Sequence, residues 1–326
     1  VIGIKVLLLA ETDNAQQHFL LAQAMRKYLG WEAKSMVCRE TYLGYPTDWT
    51  VEKDMDEAAE YARDTDLFIL QDQLFDFEEI PLRKWATHKN TIINGTGSRL
   101  RERVDYWRME QFRGWAIVPM LCDTTLSTKL CAPPFENWIC PIEQINEYAN
   151  GIEKNNKISV CHAPTKMKYK GTERFENAIS GYIESGEIEY KRITGLTWEE
   201  AIKEKAKYHI VFDSLGDTHY NAGNSLEGLV LGQTVVSNID PWCYCLHPDL
   251  PMKTTWFKGD KSIKCQTIQT QESIHFIRTI HEIIEQEKIG GLFVEKEKAK
   301  EWVKEHFGAK NQIVKWENYI RWVQER

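Results

Sequence analysis

The sequence predicts an α/β protein made of two doubly wound domains in tandem. Three observations carry this reading. The chain has 326 residues, beyond the roughly 250–300 at which a single hydrophobic core stops growing. In its first half, short apolar runs alternate with segments of helical periodicity, the pattern of a parallel sheet covered on both faces. After a polar stretch near residue 150 the alternation begins again.

In the first half, Ile2–Ala10 is an apolar run broken only by Gly3 and Lys5, as in a strand buried on both faces. Asn14 is placed to cap the next helix, where Ala15, Phe19, Ala22 and Leu29 recur at helical spacing. Gly30 ends that helix, and Trp31–Cys38 is the next expected strand. An acidic helix is expected over Glu52–Asp64, and short strands over Leu67–Leu70, Thr91–Ile93 and Trp115–Pro119. Glu143–Lys157 is polar, contains Asn-Gly and Asn-Asn, and is the expected interdomain linker.

In the second half, strands are expected over Lys157–Cys161, Ile188–Ile193, Tyr208–Phe212 and Thr234–Ser237. Phe175, Ala178, Ile179, Tyr182 and Ile183 stripe one helix. Thr197 and Glu200 have the spacing of a capping box. A short helix is expected over Asn224–Leu231. In the tail, Ile313, Trp316, Tyr319, Ile320 and Val323 form a stripe that must dock on something. The expected domains are residues 1–145 and 146–310, with 311–326 as a terminal helix.

A net charge of −7 argues against a protein that mainly grips nucleic acid, which needs clustered Lys and Arg. No stretch reaches the roughly 18 apolar residues of a membrane span. Val1–Ala10 holds Lys5 and is followed by no small-residue cleavage site, so it is read as a strand rather than a signal peptide. None of the eight Cys forms a Cys-x-x-Cys pair, and reduced thiols in a cytoplasmic protein are expected. Cys243, Cys245 and His247 are close together, but their spacing suits no common zinc site, so no metal is expected.

Two constellations carry candidate chemistry. The first is His162-Ala-Pro-Thr165, just past an expected strand, followed by Lys166 and by Lys170-Gly-Thr at the start of a helix. Ligands of open α/β sheets bind beyond the carboxyl ends of strands, and a Lys beside a helix N-terminus suits a phosphate. A solvated basic loop of Lys166, Lys168 and Lys170 explains the same residues. The second is Asp213-Ser-Leu-Gly, then His219, then Gly223-Asn-Ser-Leu-Glu227-Gly. Its glycines permit close backbone approach, the amides near Gly223, Asn224 and Ser225 suit an anion, and Glu227 can accept from sugar hydroxyls. Taken alone, Glu227 is equally a first-turn acid satisfying the helix dipole.

Together, in this order and spacing, the two constellations resemble the donor domain of the retaining glycosyltransferase family 4, over about residues 158–239. That family has the GT-B fold, two Rossmann-like domains facing a cleft, with a last helix crossing back to the first domain. The resemblance implies that Lys170 contacts the diphosphate of a nucleoside-diphosphate sugar. It implies that the amides of the Gly223-Asn-Ser-Leu-Glu227 segment hold its phosphates and that Glu227 binds the ribose. His162, Thr165, Lys166, Asp213, His219 and Leu226 complete the expected donor site. The chain departs from the pattern at His219, where many members have Glu, and at Met167, where some have Arg.

On the acceptor side, Asp13 and Asn14 follow the first strand, in the loop that lines the cleft of GT-B enzymes. Asn94-Gly-Thr96-Gly-Ser98-Arg99-Leu-Arg101 resembles a family cleft loop ending in Leu-Arg. The same glycines imitate a dinucleotide fingerprint, but Leu100 replaces its third Gly and no nicotinamide site is expected. The expectation is a metal-independent transferase without cofactor, moving a sugar to a glycan or small-molecule hydroxyl with retention. Three rivals fit the same fold: a silent nucleotide- or glycan-binding module, a glycosyltransferase acting on modified bases in DNA through an arginine cluster including Arg99 to Arg113, and a nucleotide-sugar epimerase.

Overall fold

The computed structural model describes residues 3–72, 76–95, 104–119, 137–165, 167–214, 223–237, 253–254, 277–278, 280–290 and 296–325. The chain divides into two compact units, Val1–Pro141 with His306–Arg326, and Ile142–Glu305.

The first unit holds six parallel strands: β1 (Lys5–Ala10), β2 (Glu32–Val37), β3 (Trp49–Thr50), β4 (Leu67–Gln71), β5 (Thr91–Gly95) and β6 (Ala116–Pro119). Their order is β3-β2-β1-β4-β5-β6. The continuous apolar run of β1 follows from burial on both faces. Val6 and Leu8 pack into one core with Leu21 and Met25, while Leu7 and Leu9 pack into another with Ala58 and Ala62.

Asp13, rather than the expected Asn14, serves the start of the first helix. Its carboxylate accepts from the amides of His18 at 3.0 Å and Phe19 at 2.9 Å. Ala15 and Gln16 between them adopt left-handed backbone, with φ of 51° and 53°. The helix Gln17–Ala24 continues into a wider turn, Met25–Leu29, closed by Gly30 at φ 66°. The left-handed residues rotate its register, so Leu20, Leu21, Ala24 and Met25 are buried while Phe19 is only half-buried. The terminal helix Ala309–Glu325 buries Ile313, Trp316, Tyr319, Ile320 and Val323 in this same unit, beside Leu20, Leu21 and Met25.

The second unit holds β7 (Ser159–His162), β8 (Glu189–Arg192), β9 (Ile210–Phe212), β10 (Thr234–Ser237) and β11 (Lys253–Thr254). All pair in parallel, in the order β11-β10-β9-β7-β8. The chain steps outward from β7 to β8 and then returns to the other side as β9. That reversal makes the carboxyl ends of β7 and β9 a topological switch point, where ligands of such sheets bind.

Two helices frame this point. Trp198–Lys205 opens with the capping box expected of Thr197 and Glu200. Gly223–Val230 lies close against the sheet, because a Cβ on Gly228 would fall 2.3 Å from Val211 Cγ1. The expected linker differs from the structure. It begins as the helix Ile142–Ala149, with Ile145 buried and the Tyr148 ring edge-on to Trp198 at 5.5 Å. Ile142, Ile145, Tyr148 and Ala149 form a helical stripe hidden by the polar residues between them.

Candidate functional site

β7 ends at His162, and the chain returns through the short helix Met167–Lys170 and Gly171 into the helix Thr172–Glu184. Gly171 sits at φ 68°, a left-handed position that an L side chain resists. This turn puts Lys170 beside the end of β9. Its Nζ lies 3.3 Å from Asp213 Oδ1, and the lysine side chain is 18% exposed.

Asp213 is buried and follows directly on Phe212. Its Oδ2 accepts from Ser225 Oγ at 2.8 Å, and its Oδ1 also accepts from Asn224 Nδ2 at 3.3 Å. Burial pushes the Asp213 carboxyl upward, but Lys170, Ser225 and Asn224 outweigh it and hold the group below the usual carboxylate range. Asp213 is therefore a fixed anion that ties the Lys170 turn to the first turn of the Gly223–Val230 helix.

Asn224 extends the network. Its Oδ1 accepts from Lys205 Nζ at 2.6 Å, and Lys205 reaches Glu227 Oε2 at 2.5 Å. The other Glu227 oxygen, Oε1, accepts from the Trp198 indole at 2.8 Å. Lys170, Asp213, Asn224, Lys205, Glu227 and Trp198 thus form one continuous chain of polar contacts. Its two sequence-predicted anchors, Lys170 and Glu227, belong to one network drawn from three strand-to-strand connections, β7 to β8, β8 to β9 and β9 to β10.

Lys205 and Trp198 are the parts that sequence reasoning missed. Both lie on the buried stripe Trp198, Ile202, Lys205 of their helix. A lysine at an apolar stripe position was the available signal.

Two residues expected at the donor site bury their side chains. His162 is fully buried. Its Nδ1 meets the Phe212 carbonyl at 2.9 Å and its Nε2 meets Thr172 Oγ1 at 2.8 Å. Burial lowers its pKa to about 4. It is a neutral brace beneath the site rather than a group at its surface. Leu226 is also fully buried, so its side chain belongs to the core. Ser225 is buried with its hydroxyl turned into Asp213. Thr165 is exposed beside the loop, while Lys166 and His219 lie outside the described residues.

In the first unit, Asp13 is buried and spends its carboxylate on helix amides, with burial raising its pKa to about 7. Asn14 lies in the turn between Asp13 and the helix. Thr96, Ser98 and Arg99 lie outside the described residues, as do Arg101 and Arg103. Arg113, from the same proposed basic cluster, is paired with Glu110 at 2.7 Å. The Cys243, Cys245 and His247 group also lies outside the described residues, among which no cluster of metal-ligating side chains occurs. No helix is long and apolar enough to cross a membrane among the described residues.

No family model and no curated protein matches the chain. Solved structures do match it over nearly its whole length. A glycosyltransferase from Rickettsia africae ESF-5 superposes with a TM-score of 0.58 at 10% identity, covering 100% of both chains. An alpha-glucosyltransferase in complex with UDP and a 13-mer DNA containing a HMU base gives 0.58 at 12% identity, covering 98% of this chain and 100% of the other. A Listeria monocytogenes protein assigned as a UDP-N-acetylglucosamine 2-epimerase gives 0.52 at 10% identity, covering 98% and 96%. The chain therefore has the two-domain, Rossmann-like GT-B fold.

Proposed function

We propose that the chain is a glycosyltransferase that moves a sugar from a nucleoside-diphosphate sugar to a hydroxyl acceptor, with retention of configuration and without a metal. One observation carries this: the polar chain from Lys170 to Glu227 stands at the switch point of a parallel sheet, the place where this architecture binds nucleotides. The fold is shared with UDP-bound alpha-glucosyltransferase, which makes a uridine donor the first to test.

The residues divide the work. Lys170, held by Asp213, offers positive charge to the diphosphate. The first-turn amides of the Gly223–Val230 helix add a partial positive charge at the same edge. Glu227 accepts from the ribose. In the transfer, the bond between the sugar C1 and the diphosphate oxygen breaks and a bond from C1 to the acceptor oxygen forms. The acceptor proton passes to the departing diphosphate, so no enzymic nucleophile is needed. What the protein contributes is stabilisation of charge on the leaving group.

The epimerase rival loses support from the geometry. An epimerase uses acidic and His groups at the cleft, for which Asp13, His162 and His219 are the candidates; of these, Asp13 caps a helix and His162 is sealed inside the unit. The test is mass spectrometry of products formed from a panel of nucleotide sugars and hydroxyl acceptors, with wild type and Lys170→Ala. Transfer by wild type, reduced about 100-fold or more in the variant, is expected. An isomerised donor sugar, or near-wild-type turnover by Lys170→Ala, contradicts the assignment.

A further inference from the structure

We infer that Lys205, with Trp198, presets the Glu227 carboxylate for the two hydroxyls of a ribose, and so sets a preference for ribonucleotide over 2′-deoxyribonucleotide donors. This rests on the nucleotide-donor reading above and assigns a role to a residue outside it.

Lys205 is 1% exposed, so its ammonium must find its partners inside the protein. An ammonium has three donors. Among the described residues it has three acceptors: Glu227 Oε2 at 2.5 Å, Asn224 Oδ1 at 2.6 Å and the Asn224 carbonyl at 3.5 Å. The charge is fully engaged on one side of Glu227. The indole of Trp198 engages the other oxygen at 2.8 Å.

A carboxylate offers about four acceptor positions, two on each oxygen. Lys205 and Trp198 take one on each among the described residues. By that count one acceptor position per oxygen is left over among the described residues, and the Glu227 side chain stays 16% exposed. A vicinal diol presents two donors at matching separation. Lys205 and Trp198 thus fix the rotamer of Glu227 before any ligand arrives, which lowers the entropy lost on binding. Stability alone does not ask for this arrangement, because a buried ion pair is often no better than apolar residues of similar volume.

Lys205 is a positioning residue: it acts on the sugar through Glu227. It also touches Asn224, which reaches Asp213, so its loss should weaken nucleotide binding generally. The ratio of ribo to deoxy affinity separates positioning from that general loss. Calorimetric titration of UDP and 2′-deoxy-UDP, with the ADP and GDP pairs alongside, into wild type, Lys205→Met and Trp198→Phe measures it. Wild type should favour the ribonucleotide by about tenfold, the worth of one charge-assisted hydrogen bond. Lys205→Met should bring the two within about twofold, and Trp198→Phe, which keeps the ring and removes only the N–H, should narrow the ratio in the same direction. An unchanged ratio in a folded Lys205→Met protein overturns the inference. Should melting show that variant unfolded, an unchanged ratio in Trp198→Phe overturns it alone. Wild type that binds none of the nucleotides overturns the donor reading itself, a different and recognisable failure.

Discussion

Buried charge decides behaviour at the scale of single residues. Asp213 is tolerated in the interior because Lys170, Asn224 and Ser225 all meet its oxygens. Replacing it with Asn removes the carboxylate charge opposite Lys170 and should cost roughly 3 kcal/mol in chemical denaturation, as expected when one partner of a buried pair is removed. The pH dependence follows from the same geometry. Asp213 and His162 both have folded-state pKa values below their ordinary ones, His162 at about 4. Each stabilises the fold fully above its unfolded value and loses that contribution as pH falls through the folded one. For His162 the window runs from about 6.5 down to about 4. Asp13 acts in the opposite sense: raised to about 7, it is most stabilising when protonated and loses its contribution as pH rises from about 4 towards 7. An NMR titration should therefore show the His162 ring neutral down to about pH 4; titration near 6.5 contradicts its burial. The two ends of the polar chain, Lys170 and Glu227, could be singled out in the sequence because they stand in motifs. Lys205 and Trp198 were not, because the pairing of a lysine with a glutamate 22 positions later leaves no local pattern.

Among elements, what could be read was what local chemistry dictates. The Thr197 and Glu200 capping box, the Gly30 stop and the apolar strands all act within a few residues, and all are present. The helix Ile142–Ala149 was hidden because its stripe is interleaved with polar residues in a segment otherwise rich in turn signals. The cap at Asp13 was misread as Asn14 because two left-handed residues delay the helix. Two glycines show how position decides a substitution. Gly228 lets its helix lie against the sheet, and a methyl there would meet Val211 Cγ1 at 2.3 Å. Gly228→Ala should destabilise by about 1–3 kcal/mol through overpacking. Gly181, inside the helix Thr172–Glu184, has nothing within 4 Å of its would-be Cβ. Gly181→Ala should stabilise by about 0.5–1 kcal/mol. Melting curves of the two variants should move in opposite directions, and parallel shifts contradict this packing.

For the whole molecule, the sequence predicted two doubly wound domains from the restart of strand and helix alternation, and the two parallel sheets agree. The strand orders themselves were not legible, since they depend on which edge each returning strand joins. The terminal helix belongs to the first unit through Ile313, Trp316, Tyr319, Ile320 and Val323. Each such side chain contributes about 1.5–3 kcal/mol on burial, so together they rival the whole stability of a domain. Truncation after Gly308 should abolish hydrogen-exchange protection in the first unit while the second keeps its own; protection retained across residues 4–119 contradicts this. A nucleoside-diphosphate donor bound as proposed lies across the Lys170 turn and the Gly223–Val230 helix. Hydrogen exchange of the intact chain with and without saturating UDP tests it most directly. New protection at residues 167–172 and 223–230 is the predicted result. Protection confined to the first unit, or none at those two segments despite bound nucleotide, contradicts it.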